Sequence, residues 1–181
     1  MLIILEGIDC SGKDWLADRL LKAIPNCFSL KHGMRPKNKA ERDMTSIQAS
    51  YNIMLKTYIE VIDMEGGNCL FNRFYPSELV YSGAMRNYDA FLPPYSDFYN
   101  NLERRVCQIP HFLVYVDASE EVITERMVAR GDEHITIKDI SKLAGRYTKF
   151  LNQTQLNTIR VVSSFSAIEL ITDIVKEGKL K

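Results

Sequence analysis

The chain has no excess of charge of either sign. Its 181 residues carry 23 Lys and Arg against 23 Asp and Glu, so no net field draws it toward nucleic acid, although a local basic patch is not excluded. Its four cysteines, at positions 10, 27, 69 and 107, form no C-x-x-C pair. Neither a zinc site nor a disulfide framework is indicated, and a reducing, cytoplasmic setting is expected. The three histidines (His32, His111, His134) show no metal-ligand spacing and are each expected in a loop or at the surface. No apolar run is long enough to span a membrane, and no basic segment followed by an apolar stretch opens the chain as a leader would. Repeats and low-complexity tracts are lacking too. The length fits a single domain over 1–181, large enough to bury a substantial core.

What is present is an alternation of strand-like and helix-like segments. Strands are predicted at Leu2–Leu5, Cys27–Lys31, Asn68–Asn72, Phe112–Asp117 and Thr158–Val162. A long amphipathic helix is predicted over Met44–Met64, where Ile47, Tyr51, Met54, Leu55, Tyr58, Ile59 and Ile62 recur at helical spacing before Gly66-Gly67. Further helices are expected at Ser77–Met85, Tyr95–Val106, Glu120–Arg130, Ile137–Asn152 and Ala167–Lys176, with polar loops at His32–Arg42 and Gly131–Thr136. This pattern implies an α/β fold, a five-stranded parallel sheet with helices on both faces. Ligands in such sheets bind beyond the carboxyl ends of the strands. Asn72-Arg73, Asp117 and the segment after Leu5 all follow strands and should therefore gather on one edge.

That segment carries the strongest signal. Gly7-Ile8-Asp9-Cys10-Ser11-Gly12-Lys13 has the spacing of the phosphate-binding P-loop, G-x-x-x-x-G-K-[ST], and joins a buried strand to a helix marked by Trp15, Leu16, Leu20 and Leu21. Glycines let the backbone turn its N–H groups inward, and the helix N-terminus adds partial positive charge. Lys13 would bridge the outer phosphates as a point charge. The final position is the exception: Asp14 stands where Ser or Thr is usual. The cradle implies a nucleoside triphosphate, ATP by expectation, and Asp14 implies unusual handling of its Mg²⁺.

Two other groupings bear on chemistry. Arg73, at a strand end facing the cradle, is placed to hold a substrate phosphate, with Phe74, Ser77 and Tyr81 close by in sequence. Arg126 and Arg130 lie four apart on one helix and run into Gly131, which suits a lid over about 126–137 closing on transferring phosphate. Glu121 and Glu125 are alternative partners for them. Tyr51, Tyr58 and Tyr81 fit a core, with Tyr51 and Tyr81 the better pocket residues.

On these residues the chain resembles the thymidylate kinase-like family of P-loop nucleotide kinases, in a compact form similar to phage members. Leu5-Glu6-Gly7-Ile8-Asp9-Cys10-Ser11-Gly12-Lys13 looks like that family's [LF]-E-G-x-D-x-S-G-K loop. Asn72-Arg73-Phe74 with Ser77 and Tyr81 looks like its D-R-[YFH]-x-x-S-x-x-[AV]-Y stretch. Tyr115-Val116-Asp117 with Glu121, Glu125-Arg126 and Arg130-Gly131 is similar to its fourth strand and lid, and the helix bearing Tyr147 to its post-lid helix. The resemblance implies a role in nucleotide biosynthesis: phosphoryl transfer from ATP to a deoxynucleoside monophosphate, with Mg²⁺. It further implies that Asp9 holds the sugar 3′-hydroxyl, that Arg73 grips the acceptor phosphate, and that Arg35-Pro36 lies in a substrate loop. It also implies a homodimer joined through the long helix, with a small-molecule substrate and neither membrane nor nucleic acid as partner.

Three positions depart from the pattern. Asp14 replaces Ser/Thr, and Asn72 replaces the Asp before Arg73, so one carboxylate is gained and one lost near the expected metal. Tyr51 stands where an acceptor-binding Arg is expected. The leading expectation is a deoxynucleoside monophosphate kinase acting on a thymidylate-like or modified pyrimidine acceptor. The alternatives are a deoxynucleoside or modified-pyrimidine kinase, and an ATP-binding protein disabled at its metal site.

Overall fold

The computed structural model describes residues 1–31, 44–63, 66–86, 88–131 and 135–178. The expected strands form one parallel sheet in the order β2-β3-β1-β4-β5, where β1 is Leu2–Glu6, β2 Cys27–Lys31, β3 Asn68–Asn72, β4 His111–Asp117 and β5 Thr158–Val162. β1 is central. Its Leu5 stands level with Asn72 of β3 on one side and Val114 of β4 on the other.

Alternation along each strand divides the core in two. Leu2 and Ile4 face one side with Phe71, Leu113 and Tyr115, covered by α2 (Met44–Thr57), α3 (Tyr75–Met85), α4 (Tyr95–Val106), α5 (Glu120–Arg130) and α6 (Ile137–Gln153). Ile3 and Leu5 face the other with Leu70, Phe112 and Val114, covered by α1 (Lys13–Ala23) and α7 (Phe165–Glu177). Burying each large apolar side chain contributes about 1.5–3 kcal/mol, which fixes the strand register because a one-residue slip would exchange the faces.

The long second helix changes character: α2 ends at Thr57 and widens into a π-helical stretch over Tyr58–Asp63. Its predicted last residue, Met64, lies outside the described residues, as does the loop holding Arg35 and His32. His111 corrects the expectation of a surface histidine. It opens β4 at 4% exposure, with Nδ1 2.8 Å from the Ile109 carbonyl. No helix among the described residues is long and apolar enough to cross a membrane.

Candidate active site

The carboxyl ends of β1, β3 and β4 bring the predicted residues together. Gly7 and Gly12 sit at φ 154° and 98°. A Cβ on Gly7 would lie 2.6 Å from the Val116 carbonyl oxygen, and one on Gly12 2.8 Å from Ser163, so only glycine fits either place. Cys10 and Arg73 adopt left-handed backbone at φ 65° and 71°, a strained choice for non-glycine residues that marks both turns of the site. Ile8 is core and Ser11 is buried, leaving their backbone groups to the loop. Gly12 caps α1 without a side-chain hydrogen bond, so the N–H groups of the first turn point toward the cradle. A cavity of about 410 Å³ lies over it, lined by Cys10, Gly12, Lys13, Asp14, Trp15, Arg126, Arg130 and Ser163. Arg126 reaches in from α5 and donates to the Cys10 carbonyl at 3.1 Å. The rest of the expected lid, 132–134, falls outside the described residues.

Beside the cradle is a second cluster built around Asp9. Arg73 Nη2 donates to Asp9 Oδ1 at 2.6 Å, and Lys13 Nζ stands 3.4 Å from the same oxygen. Tyr81 OH is 3.4 Å from Asp9 Oδ2 and accepts from the Asp9 backbone N–H at 3.2 Å. Burial works to raise the Asp9 carboxyl, but Arg73 and then Lys13 overcome it and hold it well below the usual range. Lys13 is pushed down to about 8 by its own burial and then by Arg73, against Asp9 and Asp14. Arg73 also donates to Ser77 Oγ at 2.8 Å and to Tyr147 OH at 3.3 Å. Its guanidinium is thus extensively engaged inside the protein.

Glu6 and Tyr147 organise this cluster from beneath. Glu6 ends β1 fully buried, and four donors meet its carboxyl: Phe74 N at 2.8 Å, Ser77 N at 3.3 Å, Ser77 Oγ at 2.6 Å and Tyr147 OH at 2.9 Å. It caps the N-terminus of α3 from another element and so sets where Arg73 leaves the sheet. Burial pushes the Glu6 carboxyl up, opposed by Arg73 and by those hydrogen bonds. The signal was a charged residue closing an otherwise apolar buried strand.

Other expected site residues are placed differently. Phe74 is fully buried and meets Tyr51 edge-on at 5.4 Å between ring centres. Tyr51 itself is 3% exposed. Both side chains belong to the core behind the acceptor side, where apolar packing takes surface that a ligand would need. Ser77 bonds Glu6 and Arg73 instead of facing the cavity. Tyr81 stays at the cluster, its ring 5.0 Å from the Arg73 guanidinium. The two departures flanking the expected metal are in contact: Asn72 Nδ2 donates to Asp14 Oδ1 at 2.8 Å, while Asn72 Oδ1 is buried without a hydrogen-bond partner.

With this geometry in view, the comparisons with known proteins agree in direction. The chain is 28% identical over 175 residues to the SPbeta prophage-derived uncharacterized protein YorR of Bacillus subtilis (strain 168), covering 96% of each sequence. A crystal structure of B. subtilis YorR in complex with phosphorylated GDP superposes with a TM-score of 0.73 at 25% identity, covering 98% of this chain and 95% of that one. Deoxyadenosine kinase from M. mycoides, with the products dCMP and dCDP, shares the fold at a TM-score of 0.63 and 18% identity, covering 99% and 100%. The sequence model of the Deoxynucleoside kinase family matches residues 48–180, which include Arg73, α5 and α6. The family reached is therefore that of the nucleoside kinases, beside the thymidylate kinase-like one that the motifs resemble. The protein belongs to the deoxynucleoside kinase family.

Proposed function

We propose that the protein transfers the terminal phosphoryl group of ATP to the 5′-hydroxyl of a deoxynucleoside. The observation that carries this reading is the state of Arg73. It is hydrogen-bonded to Asp9, Ser77, Tyr147 and Tyr81, with only 21% of its side chain exposed. An arginine so engaged orients Asp9; gripping an acceptor phosphate would require it to let go. Asp9, held ionised, is an acceptor for sugar hydroxyls and positions the nucleophile. A weak base is adequate here, because phosphoryl transfer depends on alignment and charge stabilisation more than on early proton removal.

On the donor side Lys13 and the α1 N-terminus would hold the outer phosphates, and Arg126 and Arg130 would close on charge developing in the transition state. Mg²⁺, when bound, would neutralise phosphate charge. The residues present fit it: Asp14 supplies a carboxylate at the edge of the cradle, an oxygen donor of the kind Mg²⁺ prefers, held in place by the Asn72 Nδ2 that donates to it at 2.8 Å. A carboxylate at Asp14 facing phosphate without a cation would be repelled by it.

A second reading, transfer to a deoxynucleoside monophosphate giving the diphosphate, is favoured by the loop from Leu5 to Lys13 and by Arg73 retaining some exposed surface. Coupled ADP-release assays with ATP and Mg²⁺, run across nucleosides, their monophosphates and modified pyrimidines, separate the two. Release dependent on a nucleoside supports the first reading. Release dependent on a monophosphate alone replaces it with the second. Thermal stabilisation by ATP with no turnover on any acceptor would point to a binding protein instead.

A further inference from the structure

Lys13 belongs to two places at once. Its side chain lines the cavity over the phosphate cradle, yet its ammonium folds back across the loop to Asp9, four residues earlier. Nζ stands 3.4 Å from Asp9 Oδ1, an oxygen that also accepts from Arg73 Nη2 at 2.6 Å. Two cations therefore share one carboxylate oxygen, and they hold it unequally. The Arg73 bond is short, whereas the Lys13 contact is at the long limit of hydrogen bonding and rests mainly on charge. Arg73 is fixed further by Ser77 Oγ and Tyr147 OH, so of the two it is the lysine that is placed to move. The Lys13 side chain is 5% exposed, against 33% for Asp9. An ammonium so shielded from water has to be answered by negative groups inside the site. Asp9 and a donor phosphate are competitors for that role.

We infer that Lys13 is a positioning residue for Asp9 as well as a ligand of the donor phosphates, that the two roles exclude each other, and that donor phosphates and acceptor sugar therefore bind cooperatively. A triphosphate carries more negative charge than one carboxylate and draws the ammonium toward the cradle. Asp9 Oδ1 then keeps Arg73 and regains a lone pair for a sugar hydroxyl. Conversely, a hydroxyl donating to that oxygen replaces the contact that Lys13 gives up, which lowers the cost of its departure. The coupling is reciprocal by thermodynamic necessity, so each ligand tightens the other by the same factor, expected at about tenfold. The inference rests on the reading of Asp9 as the group that accepts from the sugar, and of Lys13 as a phosphate ligand.

Calorimetric titrations with the natural deoxynucleosides and their monophosphates, with and without saturating tripolyphosphate and Mg²⁺, test the coupling at one fixed pH. Tripolyphosphate should tighten the acceptor that binds by about tenfold. Lys13→Met removes the competitor for Asp9 outright, so without tripolyphosphate this variant should bind the acceptor as tightly as the loaded intact protein does. A lysine that merely supported the loop would give the opposite, weaker acceptor binding in Lys13→Met. Acceptor affinity that tripolyphosphate leaves unchanged or weakens, or that Lys13→Met fails to raise, would overturn the inference. Crystals grown with tripolyphosphate give a readout that needs no acceptor. Lys13 Nζ should there lie on a phosphate oxygen and beyond about 4 Å from Asp9; a lysine still resting on Asp9 would also overturn the inference. Should only monophosphates bind, the nucleoside-kinase reading falls by itself and the coupling is read from them. Should no acceptor bind, that reading falls again, and the position of Lys13 in the crystals decides the handover.

Discussion

Tyr147 of α6 donates its hydroxyl to Glu6, the last residue of the central strand, across 2.9 Å and 141 positions of sequence. Both are buried, and burial with the neighbouring Glu6 pushes the phenol well up, so Tyr147 keeps its proton for Glu6 while accepting from Arg73. Tyr147→Phe removes one donor while Ser77 still serves the same oxygen. The expected loss is about 1–2 kcal/mol, or a few degrees in Tm by calorimetry. Glu6→Ala should cost more, because the Phe74 and Ser77 N–H groups lose their shared acceptor. An alanine variant as stable as the phenylalanine one would contradict the capping role.

Asp14 and Asn72 should behave as one unit in Mg²⁺ binding. Asp14→Ser alone is expected to raise the Mg²⁺ concentration for half-maximal ATP stabilisation by about tenfold or more. Adding Asn72→Asp should recover most of it, a coupling of at least about 1 kcal/mol. Unchanged Mg²⁺ dependence in Asp14→Ser would end the idea that the carboxylate has moved from β3 to α1.

Lys13 gives a pH dependence. Its folded value near 8 lies below the ordinary 10.5, so the free protein loses this charge as pH rises through 8. ATP affinity should then fall by about tenfold per pH unit while the cradle lysine must be protonated to bind. The stability contribution has the opposite sign. The unfolded chain binds the extra proton, so between about 8 and 10.5 this group makes the empty protein more stable as pH rises. Lys13→Arg should abolish the break in ATP affinity, measured by calorimetry between pH 7 and 9.5.

Gly83 should invert a familiar rule. Alanine in place of a mid-helix glycine ordinarily stabilises by about 1 kcal/mol. Here a Cβ would fall 2.4 Å from Arg146 Nη1. That guanidinium cannot easily withdraw, since it donates to the Val80 carbonyl at 2.7 Å, the Leu79 carbonyl at 2.6 Å and both oxygens of Asp89. Gly83→Ala is expected to destabilise by about 1–3 kcal/mol, and to become neutral or stabilising once Arg146→Ala is also present. Urea denaturation of the four proteins in that cycle decides it.

The fold was largely legible because its signals are local. Leu2–Leu5 and Phe112–Asp117 are apolar runs that only strands buried on both faces explain, and β2, β3 and β5 begin and end where expected. The turn between β1 and α1 was legible because its two glycines sit at positive φ, which their spacing already signalled. Long-range pairings were not. Nothing in the periodicity connects Glu6 with Tyr147 or Arg146 with Asp89, since those contacts arise only when distant strand ends and helices assemble; Asn72 and Asp14 were brought together by the motifs alone. Tyr51 and Phe74 were placed on the acceptor side because an aromatic near a site looks the same in sequence whether it lines a pocket or backs it. The edge-on packing that buries them depends on α2, α3 and α4 meeting.

Arg146 and Tyr147 are peptide neighbours on α6, yet one grips the middle of α3 and the other the end of β1. A helix turns about 100° per residue, so a single insertion or deletion between Ile137 and Arg146 would swing the helix start that follows Gly131 away from its present bearing on these anchors. Length changes in this protein's lineage should therefore collect in connecting segments and spare that stretch. Its count of residues works as a ruler, setting the bearing of the start of α6 against its anchors on α3 and β1.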